Sequence, residues 1–375
     1  MFQAPDRIGK MVDPNPPLLH HYGALLHHHQ KQDELKLLKH HQSHEENYCQ
    51  KQRELPLVDL GPLISRNHLR AEEGDDDDDD DKRVADCAAE ITRAASEWGF
   101  FQVVNHGISP ELLQRMTREQ VKLFQTPFER KLATACSTQH GLGRLLNGSY
   151  RWGSPAATSP HQFSWSESFQ VPIAKIRSQD VLPGDFSSLR EVMEELGGAM
   201  SKVAGRVAGV LAESMGQGNK EALEKIWDAS TCSLRLNRYP PCALSPEVFG
   251  LIPHTDSDFL TILYQDHHVG GLHLRKDSHW IAVKPTPHAL VVNIGDLFQA
   301  WSNDVFKSVE HKVTVNEKVD RYSVAFFLSP SPDSLIGSCR EPSLYRKFTF
   351  GEYRNQVQED VTKTGNKIGL HRFRL

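Results

Sequence analysis

The sequence has few cysteines, and their positions argue against a cysteine-based architecture. Six cysteines are scattered over 375 residues, and no two of them form a Cys-x-x-Cys pair. A disulfide scaffold and a structural zinc site are therefore not expected. The first residues lack the apolar stretch of a secretory signal. We therefore expect a cytoplasmic protein, with a mass of 42.4 kDa that is compatible with entry into the nucleus.

Long apolar runs and an excess of positive charge are also missing. No stretch approaches the roughly 18 consecutive apolar residues that a membrane-spanning helix needs. The net charge is −5, from 43 Lys and Arg against 48 Asp and Glu. Seven of the acidic residues form one block, Asp75 to Asp81. These features predict neither a membrane partner nor a nucleic-acid partner.

The chain divides into four segments of different character. Residues 1–54 contain eight of the 20 histidines and are predicted to be a flexible His-rich tail. Residues 55–225 are predicted to form a mainly helical domain, in which the acidic block 75–81 is a solvated loop. Residues 226–335 are predicted to form a strand-rich core. Residues 336–375 mix helix and coil and are expected to pack outside that core.

Periodicity supports this division. Apolar residues recur at helical spacing over 82–98, 110–125 and 187–215, and short strands are predicted at 55–60 and 100–104. Eight further strands are predicted at 233–239, 251–254, 259–265, 271–275, 280–284, 289–294, 308–315 and 322–328. Strands at this spacing, without intervening helices, are typical of a sandwich or jelly roll. The predicted fold is α+β and mainly β.

Three residues of the strand-rich core have the side chains of a metal site. His254 and Asp256 are two positions apart on extended chain, so both side chains point to one side. His311 lies in an alternating strand in which it shares a face with valines, whereas Lys312 is expected to face outward. Taken alone, such a histidine is more often an ordinary core residue. Together, two histidines and one carboxylate match the facial triad of non-haem Fe(II) oxygenases, which leaves coordination positions open.

A candidate anion receptor follows the third ligand. Arg321 and Ser323 share one face of the next strand, and no acidic residue alternates with them. A planar guanidinium beside a hydroxyl can bind one carboxylate through several hydrogen bonds. Tyr239, on the strand 233–239, could bind the same anion or serve as an aromatic core residue. A surface arginine beside an incidental serine is the alternative for Arg321.

These motifs together resemble one protein family. The stretches that carry the resemblance are 254–256, His311, 321–323, 237–242 and, nearer the N-terminus, 55–60 and 98–107. They look like the plant 2-oxoglutarate- and Fe(II)-dependent dioxygenases. The resemblance implies a double-stranded β-helix (jelly-roll) core with a helical N-terminal region. It also implies Fe(II), the cosubstrates 2-oxoglutarate and O2, and ascorbate as reductant.

The resemblance assigns roles to the candidate residues. His254, Asp256 and His311 would hold the iron. Arg321, the candidate catalytic residue, and Ser323 would bind the distal carboxylate of 2-oxoglutarate.

Tyr239 would assist Arg321 and Ser323 in binding 2-oxoglutarate. Two further regions, 147–153 with 164–169 and 244–253, are similar to the gibberellin 2-oxidases that act on C20 gibberellins. Those enzymes hydroxylate carbon 2 and thereby inactivate the hormone pathway.

Gibberellins are carboxylic acid diterpenoids, so a cation and apolar walls should face the substrate. Arg151 and Arg235 are the candidate cations, with a structural ion pair as the alternative for each. The candidate walls near the metal are Phe259, Leu263, Phe298 and Phe327.

Three other functions remain open on the sequence alone. The same chemistry could act on a flavonoid or on another small plant metabolite. A jelly roll could bind a ligand without turnover, although every triad position is filled. A zinc or calcium protein could use the His-rich tail or the acidic block.

Overall fold

The computed structural model describes residues 53–69, 78–136, 145–154, 162–178, 187–227, 230–242 and 248–375. The predicted His-rich tail thus lies outside the described residues, except for its last two. Those two already contact the core, because the backbone N–H of Arg53 donates to the carbonyl of Ala282 at 3.0 Å and Glu54 pairs with Lys284 at 2.8 Å.

The strands are numbered in chain order. They are β1 (Leu57–Asp59), β2 (Phe100–Val104), β3 (Tyr150–Trp152), β4 (Glu167–Pro172), β5 (Ser233–Tyr239), β6 (Phe249–His254), β7 (Leu260–Gln265), β8 (Leu272–Lys276), β9 (His279–Ala282), β10 (Leu290–Ile294), β11 (His311–Thr314), β12 (Arg321–Leu328), β13 (Leu335–Ile336) and β14 (Phe348–Thr349). All eight strands predicted after residue 230 are present, and the bounds of 233–239 agree with those of β5.

The helices are also numbered in chain order. They are α1 (Gly61–Leu69), α2 (Asp78–Trp98), α3 (Pro110–Gln125), α4 (Phe128–Cys136), α5 (Ile173–Arg177), α6 (Ser187–Ser214), α7 (Asn219–Glu224), α8 (Asp296–Trp301) and α9 (Phe350–Thr364), followed by a 3-10 helix (Gly369–Phe373). Gly99 ends α2 because its φ of 63° is a left-handed conformation that favours glycine. Ser109 caps α3 by accepting a hydrogen bond from the N–H of Leu112 at 3.2 Å.

Two facing sheets form the core and confirm the predicted jelly roll. The larger sheet has the strand order β1-β2-β10-β7-β12-β5-β4-β3, and the smaller has the order β6-β11-β8-β9. Neighbouring strands are antiparallel except β1 and β2. The larger sheet takes four of its eight strands from residues before 225, so the predicted boundary at 225/226 runs through one sheet.

Two expectations about local structure are wrong, and two strands were missed. The acidic block is not wholly a loop, because Asp78 to Asp81 form the first turn of α2, where the helix dipole stabilises carboxylates. The strands β3 and β4 were not predicted. Lys312 is only 5 % exposed, because its ammonium lies 4.3 Å from the centre of the Trp280 ring and its stem covers apolar surface.

Residues of the last segment, among them Phe350 and Leu370, pack into the main hydrophobic core. Tyr353 of α9 and Phe373 of the 3-10 helix are buried against each other, with ring centres 5.3 Å apart. Among the described residues, none of the helices has the length and apolar character needed to cross a membrane.

Candidate functional site

The three predicted metal ligands converge between the two sheets. His254 and His311 are direct cross-strand partners in β6 and β11, and their ring centres are 4.3 Å apart. Asp256 follows β6, and its Oδ1 lies 3.7 Å from Nε2 of His254 and 3.8 Å from Nε2 of His311. Within the described parts of the chain, this is the one cluster of His, Cys, Asp or Glu able to hold a metal ion.

Hydrogen bonds aim each ligand atom at the same point. Nδ1 of His254 donates to the carbonyl of Ile252 at 2.8 Å, and Nδ1 of His311 donates to the carbonyl of Val309 at 3.0 Å. A carbonyl can only accept, so both rings carry a proton on Nδ1, and Nε2 is the ring nitrogen that is placed to bind a metal.

The carboxylate is held by the opposite sheet. Oδ2 of Asp256 accepts a hydrogen bond from Thr261 Oγ1 of β7 at 2.6 Å and from Asn293 Nδ2 of β10 at 2.8 Å. These bonds leave Oδ1 facing the histidines. Partners of this kind orient metal ligands and raise metal affinity.

The charges also suit a cation. Burial, and then the neighbouring His311, lower the pKa of His254 well below its usual value, so the ring is neutral at pH 7. Burial alone would raise the pKa of Asp256, but the two imidazoles and the bonds from Thr261 and Asn293 lower it, so the carboxylate is ionised. Two imidazoles and one carboxylate are a ligand set for a divalent metal.

The donor atoms fit a single ion. The separations of 3.7 Å and 3.8 Å are shorter than two metal–ligand bonds of about 2.0–2.2 Å laid end to end, so one ion can reach all three atoms. Three ligands on one side leave the remaining positions open, as ferrous oxygenases require.

The predicted anion receptor lies deeper between the sheets. Arg321 is 1 % exposed, and its guanidinium carbon lies 4.9 Å from the centre of the Tyr239 ring. Nη2 donates to Oε1 of Gln265 at 2.7 Å, whereas the buried Nε and Nη1 have no hydrogen-bond partner among the described residues. Two orphaned donors on a buried cation point to an anion as the missing partner.

Ser323 completes the receptor from the same strand. Its hydroxyl accepts a hydrogen bond from Asn237 Nδ2 at 3.3 Å, and Asn237 is its cross-strand partner in β5. Behind the sheet, Nε2 of Gln120 in α3 donates to the carbonyls of Asn237 and Ser323 at 3.0 Å and 2.9 Å. The helical region therefore fixes the strands that carry the receptor.

Two connected spaces meet at the metal ligands. The inner cavity, between the sheets, is lined by the triad, Tyr239, Arg321 and Ser323. The outer cleft, with a volume of about 600 Å³, is lined by Arg151 and Arg235. His254, Asp256 and Arg235 line both spaces, so a metal ion would lie where the two spaces join.

The predicted apolar walls are half right. Leu263 and Phe327 line the inner cavity. Phe259 and Phe298 do not, since both are fully buried in the main core and pack against each other with ring centres 6.0 Å apart. The alternating pattern of a strand shows that a residue faces inward, but a site wall and a packed core residue have the same pattern.

Several functional side chains escaped the sequence analysis. Thr261 and Gln265 are polar residues at alternate positions of the apolar strand β7, together with Leu263. Asn293 is likewise a polar residue in the apolar strand β10. A buried polar group needs a partner, so polar residues on the inward face of an apolar strand were the available signal.

We expect Gln265→Leu to weaken 2-oxoglutarate binding because Arg321 loses the acceptor that orients it. One hydrogen bond to a charged group contributes about 1.5–3 kcal/mol, so the KM for 2-oxoglutarate should rise by at least about 10-fold. Gln265→Glu should raise that KM further although it keeps an acceptor, because its carboxylate competes with the diacid for Arg321. Steady-state succinate assays measure both values, and a wild-type KM for both variants would contradict this role.

Two family models match the chain. Residues 230–330, which contain the triad and the anion receptor, match the 2OG-Fe(II) oxygenase superfamily. Residues 55–182 match the family described as non-haem dioxygenase in morphine synthesis N-terminal. The two matches cover both the strand-rich core and the helical region before it.

Relatives with similar sequences extend the comparison along the chain. Gibberellin 2-beta-dioxygenase 6 of Oryza sativa subsp. japonica is 56% identical over 328 residues, which are 86% of this chain and 85% of that protein. Gibberellin 2-beta-dioxygenase 8 of Arabidopsis thaliana is 48% identical and covers 85% of this chain and 87% of its own length.

A solved structure supports the same assignment of fold. The crystal structure of JOX2 in complex with 2OG, Fe and JA is 34% identical to this chain, with a TM-score of 0.65. The match covers 83% of this chain and 87% of that one.

Proposed function

This chain belongs to the 2OG-Fe(II) oxygenase superfamily and, within it, to the gibberellin 2-beta-dioxygenases, and from this premise we propose that it hydroxylates carbon 2 of C20 gibberellins. Such a reaction inactivates the hormone precursor. The observation that carries the proposal is a metal triad between two spaces: an inner cavity with an arginine that has two unpartnered donors, and an outer cleft lined by Arg151 and Arg235.

The enzyme class follows from the family and the site together. The protein is a 2-oxoglutarate-dependent dioxygenase that uses Fe(II). His254, Asp256 and His311 would hold the iron. When bound, Fe(II) allows O2 to oxidise 2-oxoglutarate to succinate and CO2 while the second oxygen atom enters a C–H bond of the substrate. Ascorbate as reductant stays a prediction.

The residues of the inner cavity would orient the diacid. Arg321 offers its Nε and Nη1 donors to the distal carboxylate, and Ser323 adds its hydroxyl. The Tyr239 ring packs against the guanidinium. Fixing the far end before the reaction removes rotational freedom from the reactive end. Leu263 and Phe327 exclude water from the space between this carboxylate and the metal ligands.

The outer cleft would bind the substrate acid. Arg235 is half-buried, and its side chain forms neither a hydrogen bond nor an ion pair with any described residue. Burial lowers the pKa of Arg235 from its ordinary value. Tyr239 and Asp256 offset part of this shift, and the proximity of Arg151 adds to it. Arg151 is exposed at the same cleft. A gibberellin carboxylate placed between the two arginines would supply the opposite charge.

We expect Arg235→Met to raise the KM for the gibberellin by about 10²-fold, since the loss of a desolvated charge pair costs roughly 2–5 kcal/mol. The KM for 2-oxoglutarate should change by less than about 3-fold, because Arg321 is untouched. Arg235→Lys keeps the charge but not the planar fork, so its KM for the gibberellin should lie between those of the wild type and Arg235→Met. Product formation measured by mass spectrometry gives all three values.

A modified substrate provides the matched control. The methyl ester of the gibberellin has no negative charge, so the wild-type protein should bind it about as poorly as Arg235→Met binds the acid. If the variant still prefers the acid over the ester as strongly as wild type does, Arg235 does not bind the carboxylate.

A substrate panel tests the function itself. C20 gibberellins, C19 gibberellins, jasmonic acid and a flavanone are each incubated with enzyme, Fe(II), ascorbate and 2-oxoglutarate. We expect the C20 gibberellins to gain one oxygen atom and to stimulate succinate formation most strongly. Turnover of the flavanone alone would favour the flavonoid alternative, and no turnover of any compound would favour a ligand-binding protein. A cytoplasmic location stays a prediction.

A further inference from the structure

We propose that Lys367, in the C-terminal segment 350–375, is a positioning residue for the iron-binding loop 254–258. The inference rests on the iron site of the proposed function but not on its substrate. Lys367 lies beyond residues 230–330, the part that matches the oxygenase superfamily. It reaches the loop because α9 and the 3-10 helix fold back over the end of the core.

Lys367 contacts the loop on both sides of Asp256. Its ammonium donates to the carbonyl of Thr255 at 2.8 Å and to the hydroxyl of Ser257 at 3.0 Å. The side chain is 14% exposed, so these bonds are largely shielded from water. Thr255 separates the two ligands His254 and Asp256, and a contact there fixes the peptide that sets their spacing.

Asp296 connects Lys367 to the rest of the core. Its Oδ2 lies 2.5 Å from the Lys367 ammonium and accepts hydrogen bonds from Tyr353 OH at 2.5 Å and from Thr255 Oγ1 at 3.1 Å. The backbone N–H of Asp296 donates to the carbonyl of Asp256 at 2.9 Å. Asp296 is 3 % exposed, so its charge needs the cation of Lys367.

Close packing leaves the loop little freedom to relax. A Cβ atom on Gly295 would lie 2.0 Å from the carbonyl oxygen of Asp258, so the loop backbone presses directly on the turn before α8. Loop residues 255, 256 and 257 are each bonded to Lys367 or Asp296. Without Lys367, two of these bonds and the charge balance of Asp296 are lost together.

Three variants separate positioning from simple stability. Lys367→Met removes the cation from buried Asp296. Arg372→Met removes the cation from Asp360, an equally buried carboxylate of α9 that Arg372 contacts at 2.9 Å, away from the iron loop. Both should lower Tm by similar amounts. Ser257→Ala removes one hydrogen bond of Lys367 and keeps the ion pair between Lys367 and Asp296. It replaces Lys367→Met as the test variant if Lys367→Met does not fold.

The readout is the metal Kd of the full-length apo protein. It is measured by the electron paramagnetic resonance of Mn(II) and by anaerobic titration with Fe(II). We expect Lys367→Met to raise the metal Kd by at least about 10-fold, as outer-shell changes do, and Lys367→Arg to recover most of that loss. Arg372→Met should keep the wild-type Kd, and Ser257→Ala should raise it about 3-fold, for one hydrogen bond.

Two results would overturn the proposal. One is a wild-type Kd for Lys367→Met or Ser257→Ala, whatever the change in Tm. The other is an equal increase in Kd for Arg372→Met. Failure of the proposed function is distinguishable, because it would appear as metal binding that survives His311→Ala or as a lack of gibberellin turnover by a protein that binds metal normally.

Discussion

His311→Ala is expected to abolish iron binding at the site and, with it, succinate formation. Two ligands cannot complete the triad, and the cavity left by the imidazole admits water beside Asp256. Loss of a residue that only hydrogen-bonds to a metal ligand lowers metal affinity or activity by about 10–100-fold. Loss of a direct ligand should therefore lower turnover by about 10³-fold or more. Anaerobic addition of Fe(II) and 2-oxoglutarate should give a weak visible charge-transfer band in wild type and none in the variant.

His273→Ala is the matched control for this prediction. His273 lies on β8, beside β11 in the same sheet, and its Nδ1 contacts the carbonyl of Gly271 at 3.0 Å, as His311 contacts Val309. It is not part of the metal cluster. His273→Ala should therefore keep the absorption band and most of the turnover. Wild-type turnover by His311→Ala, or equal losses in both variants, would contradict the triad.

The triad could be predicted because its signal is local and chemical. His254 and Asp256 are separated by one residue, and the alternation of a strand places both on one side. His311 was assigned to the same site because two histidines and one carboxylate are the ligand set of a ferrous facial triad. The sequence did not show that His254 and His311 are direct partners across two strands, because register depends on the turns and bulges between β6 and β11.

Long-range polar contacts were not predictable from the sequence. Lys131 of α4 and Glu167 of β4 are both buried and lie 2.6 Å apart, and Arg238 of β5 contacts the same carboxylate at 2.8 Å. Charged residues are usually exposed, so nothing in their sequence neighbourhood indicated burial. The same applies to Lys367, whose partners at 255, 257 and 296 are distant along the chain.

The strands β3 and β4 were missed for a related reason. Their side chains are a mixture of aromatic, polar and charged residues, without the alternation of the later strands. The strand β4 forms because β5 offers an open edge, on which Phe169 pairs with Leu236, and β3 then pairs with β4. A strand that is specified by its neighbour rather than by its own pattern is visible only in the folded chain.

Arg321→Met is expected to raise the KM for 2-oxoglutarate by about 10²–10³-fold. The diacid loses two charge-assisted hydrogen bonds in a buried cavity, which together contribute roughly 3–5 kcal/mol. Binding of Fe(II) alone should be unchanged, because none of the three ligands contacts Arg321. Arg321→Lys should recover little, since an ammonium cannot supply two parallel donors.

The same substitution should have an unusual effect on stability. In the absence of 2-oxoglutarate, Arg321 is a buried cation with two orphaned donors, and burial lowers its pKa. Replacing it by an apolar side chain of similar length removes a desolvation cost, so the Tm of the apo protein should stay equal or rise. Addition of 2-oxoglutarate should raise the Tm of the wild type but not that of the variant.

Arg238→Met is the matched control. Arg238 lies on β5 and is also buried, but it pairs with Glu167 and with Asp320, each at 2.8 Å. Its loss should lower Tm, because Asp320 and Glu167 each lose an ion pair, and should leave the KM for 2-oxoglutarate unchanged. The opposite signs of the two Tm changes distinguish a binding arginine from a structural one. A large fall in the Tm of apo Arg321→Met with a wild-type KM would show that Arg321 stabilises the fold rather than binds the cosubstrate.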